Sequence, residues 1–461
     1  MSPRSDLVPP ALRPAGAQAS TVGGGGEIRS LTGLRIVAAL WVVVFHFWFT
    51  PGDAYRSVWE PLQPLIHSGA LGVDLFYVLS GFVVTLTYLD KLGPRPSARR
   101  ATAFWWARFC RVWPVYAVVT TLFGGWILYK DSRTDDPFLV WQTVQPDVDV
   151  VSWLEQLAMV QLWHQAQFDG SSWVGAAWSI SAEWLAYTLF PLTVLVLWRL
   201  RRLPPVVTGV LAVACMVPFA WLCYRTGAAY FAWSWLLRIG AGFLAGALTC
   251  LAVRRIRVTP RVERVAAVVA VLAVAEVLVG LWWGWWRGQG GGGYGGVVVV
   301  LFPVLVGSLA LSRGGLSRVL STGPLVHGGR ISYSLYLVHV PLFEIAWTHM
   351  LWYPAIGPGS GLGTLLVPQL LLAALLVAHL VHRHVEEPSR LWLRDRGPGR
   401  WARARTAPAA AAPGTAVPAT AVPATAVPEA AVPGTAVAAP SAGEPSGGPA
   451  VPALPPQRVG S

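Results

Sequence analysis

The sequence predicts an all-α integral membrane protein with about ten transmembrane helices, both termini cytoplasmic and a disordered C-terminal tail. Three observations carry that class. The 461 residues are 54% hydrophobic and only 12% charged, about half the charged share of a soluble domain, and the mean hydropathy is +0.51. So little polar material cannot cover a soluble chain of this size. The apolar residues gather into runs of about 20, the length that crosses a bilayer core as a helix. The arginines cluster between alternate pairs of runs. Together these exclude a cytosolic enzyme, a disordered scaffold and a nucleic-acid-binding protein, although a net charge of +13 alone would suit nucleic acid.

Taken in order, the runs fall near 31–50, 69–90, 109–129, 174–198, 204–223, 229–253, 265–285, 294–312, 331–352 and 361–382. Arg4, Arg13 and Arg29 precede the first. Lys91, Arg95, Arg99, Arg100 and Arg108 follow the second, and Arg199, Arg201 and Arg202 the fourth. Arg254, Arg255 and Arg257 follow the sixth, Arg313, Arg318 and Arg330 the eighth, and Arg390, Arg394 and Arg396 the tenth. The other connections are poor in base, and 131–172 is acidic, so every second loop is expected inside the cell. Trp282, Trp283, Trp285 and Trp286 then fall at the outer interface, where indoles belong. Residues 1–28 read as a disordered cytoplasmic N-terminus without a cleavable signal, 29–390 as the membrane domain, and 391–461 as a disordered cytoplasmic tail. Prolines five apart at 413, 418, 423, 428 and 433 deny that tail a regular helix. Cys110, Cys215, Cys223 and Cys250 lie in apolar runs without CxxC spacing and read as small buried hydrophobes.

Ionisable groups inside spans are costly, so they are the first places to look for function. Eleven steps of about 100° bring Arg35 and His46 to one face of the first span, about 16 Å apart along its axis. Asp74 lies at the outer end of the second, where a carboxylate also suits a helix start. Arg108 and Arg111, three apart at the cytoplasmic start of the third, can converge on one anion or simply mark topology. In Trp178-Ser179-Ile180-Ser181-Ala182-Glu183, Ser179 and Glu183 share a face, and a buried Glu183 needs a partner, of which Arg238 in the sixth span is one option. Ser332, Tyr336 and His339 follow i, i+4, i+7 and form a polar stripe, which serves either a site or helix packing. Glu386-Glu387-Pro388 reads as a structural terminus of the tenth span.

There is no GxxxxGK[ST], HExxH or GxSxG motif and no Cys/His spacing for a metal. Taken together, residues 31–388 resemble the acyltransferase-3 family, the multi-pass membrane O-acyltransferases of bacteria. Arg35-x10-His46 is similar to its first-helix signature, and Gly72 to Phe82 to its Gly-x-x-x-Phe-Phe-x-x-Ser-Gly-Phe stretch, with Tyr77 at the second Phe. Arg108-x-x-Arg111-x-x-Pro114, Trp178-Ser179 with Glu183, Ser332-Tyr333-x-x-Tyr336-x-x-His339 and Glu386-x-Pro388 follow in the family's order. Arg238 to Gly246 lacks a glutamate often found there, and the Pro/Ala-rich tail, expected on the cytoplasmic side, is not the extracellular hydrolase-like domain that some such proteins would carry.

The resemblance implies an enzyme that transfers an acyl group, expected to be acetyl, to a hydroxyl of an envelope saccharide or glycoconjugate. Acyl-CoA is the implied co-substrate, with no bound cofactor and no metal. Arg108 and Arg111 suit the phosphates of acyl-CoA at the inner face. His46 is the expected general base, Glu183 its orienter, and Arg35 either an oxyanion donor or a guide for CoA. Asp74, Trp178, Ser179, Tyr336 and His339 are candidates for the substrate site. Expected partners are acyl-CoA, a saccharide, glycolipid or glycosylated small-molecule acceptor, and membrane lipid, in the cytoplasmic membrane. A small natural product such as a macrolide is the alternative acceptor. A transporter or flippase is the alternative of another class, but the two halves show no convincing repeat.

Overall fold

The computed structural model describes residues 27–47, 55–133, 144, 146–290, 293–357 and 359–397. The expectations for 1–26 and for the Pro/Ala-rich repeats fall outside these residues. Each of the ten apolar runs is helical over most of its described residues, and no strand occurs among the described residues. The spans are α1 (Arg29–Phe47), α2 (Leu71–Leu92), α3 (Ala98–Asp131), α4 (Trp178–Leu200) and α5 (Pro205–Thr226). They continue with α6 (Ser234–Arg255), α7 (Pro260–Arg287), α8 (Phe302–Leu311), α9 (Gly323–Trp352) and α10 (Gly361–Val381). A 3₁₀ segment, Gly293–Leu301, leads into α8 and completes its length. Nine of these segments are long and apolar enough to cross a membrane. The exception is α9, which has 30 residues but carries the polar stripe, and its Ser332, Ser334, His339 and Glu344 are all fully buried by neighbouring helices. Neighbouring helices thus cover its polar stripe.

Local chemistry sets the ends. Ser97, Thr259 and Ser360 accept from backbone N–H groups as N-caps of α3, α7 and α10, and Pro260 occupies the first turn of α7. Gly227, at φ +65, closes α5 in the left-handed region. The tenth span does not stop at Glu386-Glu387-Pro388. A π-helical turn, His382–Glu386, passes directly into α11 (Glu387–Arg396), so residues 391–396, expected in the tail, finish a helix instead. Pro388, which cannot donate to the helical ladder, follows directly on that π-helical turn, where the ladder is already widened.

Packing sorts the spans. The apolar stretch of α6 is 78% buried, and that of α7 only 22%. Thus α6 is central, while α7 turns Val265, Val268, Val271 and Leu272 outward to lipid. The tight crossings rely on missing side chains. A Cβ on Gly329 of α9 would collide with the Thr32 carbonyl of α1, and one on Gly246 of α6 with the Val78 carbonyl of α2. The arginine clusters gather at one end of the bundle. There Arg254 pairs with Asp90, Arg255 donates to the carbonyls of Arg201 and Leu203, and Arg29 to that of Ser321. The Trp283 ring stacks on Tyr224 at the opposite end.

Candidate functional site

Helices α1 and α9 run side by side, and their polar residues pair level by level. Arg35 Nε donates to Ser332 Oγ at 3.5 Å near the arginine-rich end. Farther along the same two helices, His46 Nδ1 lies 3.2 Å from His339 Nε2. Tyr336 stands between these levels on α9. The spacing of eleven on α1 and of four and seven on α9 therefore match in space.

Two cavities open along this seam. The inner one, about 90 Å³, is lined by Arg35, Arg108, Arg111, Glu183, Ser332 and Tyr336 among others. One water needs roughly 10–15 Å³ of such space, so the cavity has room for a few waters or a short acyl group. The outer one, about 320 Å³, is lined by His46, Asp169, Trp178, Tyr230, Phe45 and Tyr336 among others. Tyr336 and Val73 belong to both walls. The Tyr336 hydroxyl lies 2.6 Å from Ser179 Oγ, and both reach the carbonyl of Ala176, at 2.9 and 3.0 Å. This contact divides the cavities.

The inner cavity is electropositive. Arg111 pairs with Glu386, which also accepts from Ser334 at 2.7 Å and faces His382 Nδ1 at 2.9 Å. Arg108 lies over the rings of Tyr88 and Tyr187, 5.2 and 5.8 Å from their centroids, and its Nη2 donates to the Tyr88 hydroxyl at 3.4 Å. Among the described residues, neither Arg35 nor Arg108 is held in an ion pair, and the Arg108 Nε is buried without a hydrogen-bond acceptor. A buried guanidinium with spare donors beside a cavity is an anion site in physical terms.

Glu183 is placed differently from expectation. It accepts from the Tyr187 hydroxyl at 2.6 Å, which in turn meets Ser80 Oγ at 2.9 Å, all on the inner side. It has no contact with His46, because it faces the arginine level of the seam while the histidine lies on the outer level. Arg238, offered by sequence as a partner for Glu183, belongs instead to Asp74. Its Nε and Nη2 donate to the two carboxylate oxygens at 3.0 and 2.7 Å, and both side chains are fully buried. Asp74 is thus neither a free helix-start carboxylate nor a wall of either cavity; it ties α2 to α6. The Trp178 ring lies between this pair and the outer cavity, 5.4 Å from the Arg238 guanidinium.

Several site residues gave no clear signal in sequence. Tyr187 and Tyr88 are ordinary span residues until the fold brings them to Arg108 and Glu183, where Ser80, the serine of the Gly72 to Phe82 stretch, joins them. The outer wall comes from the loop before α4, held where Gln156 Nε2 donates to the Ser171 carbonyl at 2.9 Å and Ser181 Oγ to that of Met159 at 2.8 Å. On this loop burial pushes the Asp169 carboxyl up from its usual range. Lys130 and Glu344 form a second buried pair, at 2.9 Å, that lines neither cavity. Glu344 was detectable as a carboxylate inside an apolar run. Among the described residues, no group of three or more His, Cys, Asp or Glu converges as a metal site.

A model of the acyltransferase domain matches residues 28–383, more than three quarters of the chain. Acyltransferase MdmB of Streptomyces mycarofaciens is 32% identical over 197 residues. That match covers 42% of this chain and 46% of that protein, so it spans about half the length of the relative. No solved structure matches the chain.

Proposed function

This chain belongs to the acyltransferase-3 family of multi-pass membrane acyltransferases, and from that premise we propose that it transfers an acyl group from acyl-CoA to a hydroxyl of a saccharide or glycoconjugate of the cell envelope. The observation that carries this reading is the pair of cavities of opposite chemistry that share Tyr336 as a wall. In the cytoplasmic membrane, with the arginine-rich end facing the cytoplasm, the inner cavity meets the compartment that holds acyl-CoA. Arg108 and Arg35 then attract its phosphates at the inner mouth, and the narrow inner cavity passes only the slender arm and its acyl end. The aromatic outer cavity suits the apolar face of a sugar ring.

His46 takes the proton of the acceptor hydroxyl. The oxygen attacks the thioester carbon, the C–S bond breaks, and the departing thiolate recovers the proton from the imidazolium. About 16 Å separates Arg35 from His46 along α1, so Arg35 serves the donor rather than the oxyanion at the reacting carbon. The long flexible arm of CoA spans that distance, and transfer takes place where Tyr336 meets Ser179.

The test uses membranes holding the full chain or its His46→Ala variant, with acetyl-CoA labelled in the acetyl group and a cell extract as acceptor source. CoA release with label in a saccharide or glycolipid fraction, absent in the variant, is the expected result. Label in a small-molecule fraction would redirect the acceptor to a natural product. No CoA release above empty membranes would overturn the reading.

A further inference from the structure

Each of the two facing histidines also approaches a carbonyl of its own helix. His46 Nδ1 lies 2.9 Å from the Val42 oxygen, and His339 Nδ1 3.2 Å from the Leu335 oxygen. A carbonyl oxygen can only accept, so each Nδ1 carries a proton. The third contact, His339 Nε2 to His46 Nδ1 at 3.2 Å, then has its donor fixed. If His339 Nε2 were also protonated, two N–H groups would face each other. The contact therefore requires His339 to be neutral and to accept, with the His46 Nδ1 proton shared between Val42 and His339. Only one nitrogen of the pair remains to take a proton on the cavity side, and that is His46 Nε2.

We propose that His339 is the positioning residue of the proposed transfer: it fixes His46 as the Nδ1–H tautomer and accepts from that proton when Nε2 becomes protonated. This rests on the acyl-transfer reading for its catalytic half, while its tautomer half stands on geometry alone. His339 is fully buried and lines neither cavity, so it touches no substrate. Its ring is held between Tyr336 and Phe343, with centroids 5.7 and 6.0 Å away. The role usually given to a carboxylate falls here to a neutral imidazole. A neutral partner suits a base buried in a membrane, because it adds no second charge to the site. During the reaction the acceptor O–H proton moves to His46 Nε2 and returns from there to the CoA thiolate. The Nδ1 proton stays on His46 throughout, hydrogen-bonded to His339.

The test is nitrogen-15 NMR of the histidine-labelled full chain in lipid nanodiscs, which distinguishes the two neutral tautomers, with His46→Gln assigning the His46 signals. The expected spectrum has His46 and His339 both protonated on Nδ1. His46 on Nε2–H, or a protonated His339, overturns the proposal whatever the activity. In the labelled-acetyl assay, His339→Leu lowers kcat by about 10- to 100-fold with the KM for acetyl-CoA within about twofold. His339→Gln, which returns an acceptor oxygen near the Nε2 position, recovers most of that loss. Equal kcat in wild type and His339→Leu, or equal losses in the Leu and Gln variants at matched folded protein, refutes positioning. A wild-type chain silent in transfer yet with His46 on Nδ1–H refutes the acyl-transfer reading and the catalytic half of the proposal, and leaves the tautomer assignment standing.

Discussion

Asp74→Asn should cripple assembly of the bundle rather than chemistry. The native carboxylate receives two hydrogen bonds from Arg238, and the two side chains are 0% and 1% exposed. The variant keeps the shape but removes the charge and one of the two acceptor oxygens, so the guanidinium is left with a neutral amide oxygen and the Ala70 carbonyl, at 3.2 Å, and no counter-charge. Breaking a buried pair from one side costs about 3–5 kcal/mol. At about 1.4 kcal/mol per factor of ten, the folded-to-unfolded ratio falls by roughly 10²- to 10⁴-fold. Removing both charges, as in Asp74→Leu with Arg238→Met, abolishes the penalty of the orphaned cation and should be close to neutral. The assay is the fraction of protein that stays monodisperse in mild detergent after a heating series. A single variant as robust as wild type would refute the ion-pair reasoning. A robust double variant lacking transferase activity would return Asp74 to the substrate site.

Other outcomes follow from the cavities and the helix seam. Arg108→Ala should raise the KM for acetyl-CoA by about 10- to 100-fold, the worth of one charge-assisted hydrogen bond, with unchanged protein yield; an unaltered KM would make Arg108 a topology residue. Arg111→Ala should act mainly on yield, because it leaves Glu386 facing only Ser334 and His382; full yield with a raised KM would place Arg111 on the donor. Tyr336→Ala should merge the two cavities and raise the rate with butyryl-CoA relative to acetyl-CoA, measured as CoA release; an unchanged ratio would remove Tyr336 as the divider. Gly329→Val should cost about 1–3 kcal/mol through collision with the Thr32 carbonyl, read as a lower melting temperature in detergent; an unshifted melting curve would refute that close crossing.

The parts legible in sequence are those governed by one helix at a time. Apolar length located every span, and arginine placement foretold which ends meet, as the Arg254–Asp90 pair and the bonds of Arg255 bear out. Periodicity put Arg35 with His46, and Ser332 with Tyr336 and His339. What it could not supply was which faces meet. The partners of Glu183, Asp74 and Arg238 are choices between helices, and two carboxylates competed for one arginine in any sequence-based assignment. The aromatic outer wall was hidden for another reason: Phe168 and Asp169 lie in a loop whose path depends on side-chain bonds such as Gln156 to Ser171. Continuation of the tenth span into α11 was missed because Pro388 reads as a stop signal, although a π-helical turn just before it carries the helix past.

The collision that awaits any side chain at Gly329 bears on how this protein can be altered. Two helices touching backbone to backbone have almost no freedom to slide, so both histidines inherit their separation from the main chain rather than from their neighbours' rotamers. A laboratory seeking new acceptors would waste a library on that seam, where nearly every change loosens the histidine pair. The opposite walls offer more tolerance: Phe168, Asp169 and Tyr230 come from connecting segments, where substitutions reshape the cavity without touching the seam. Diversity belongs on that side of the molecule, with the α1–α9 pair kept as a fixed jig.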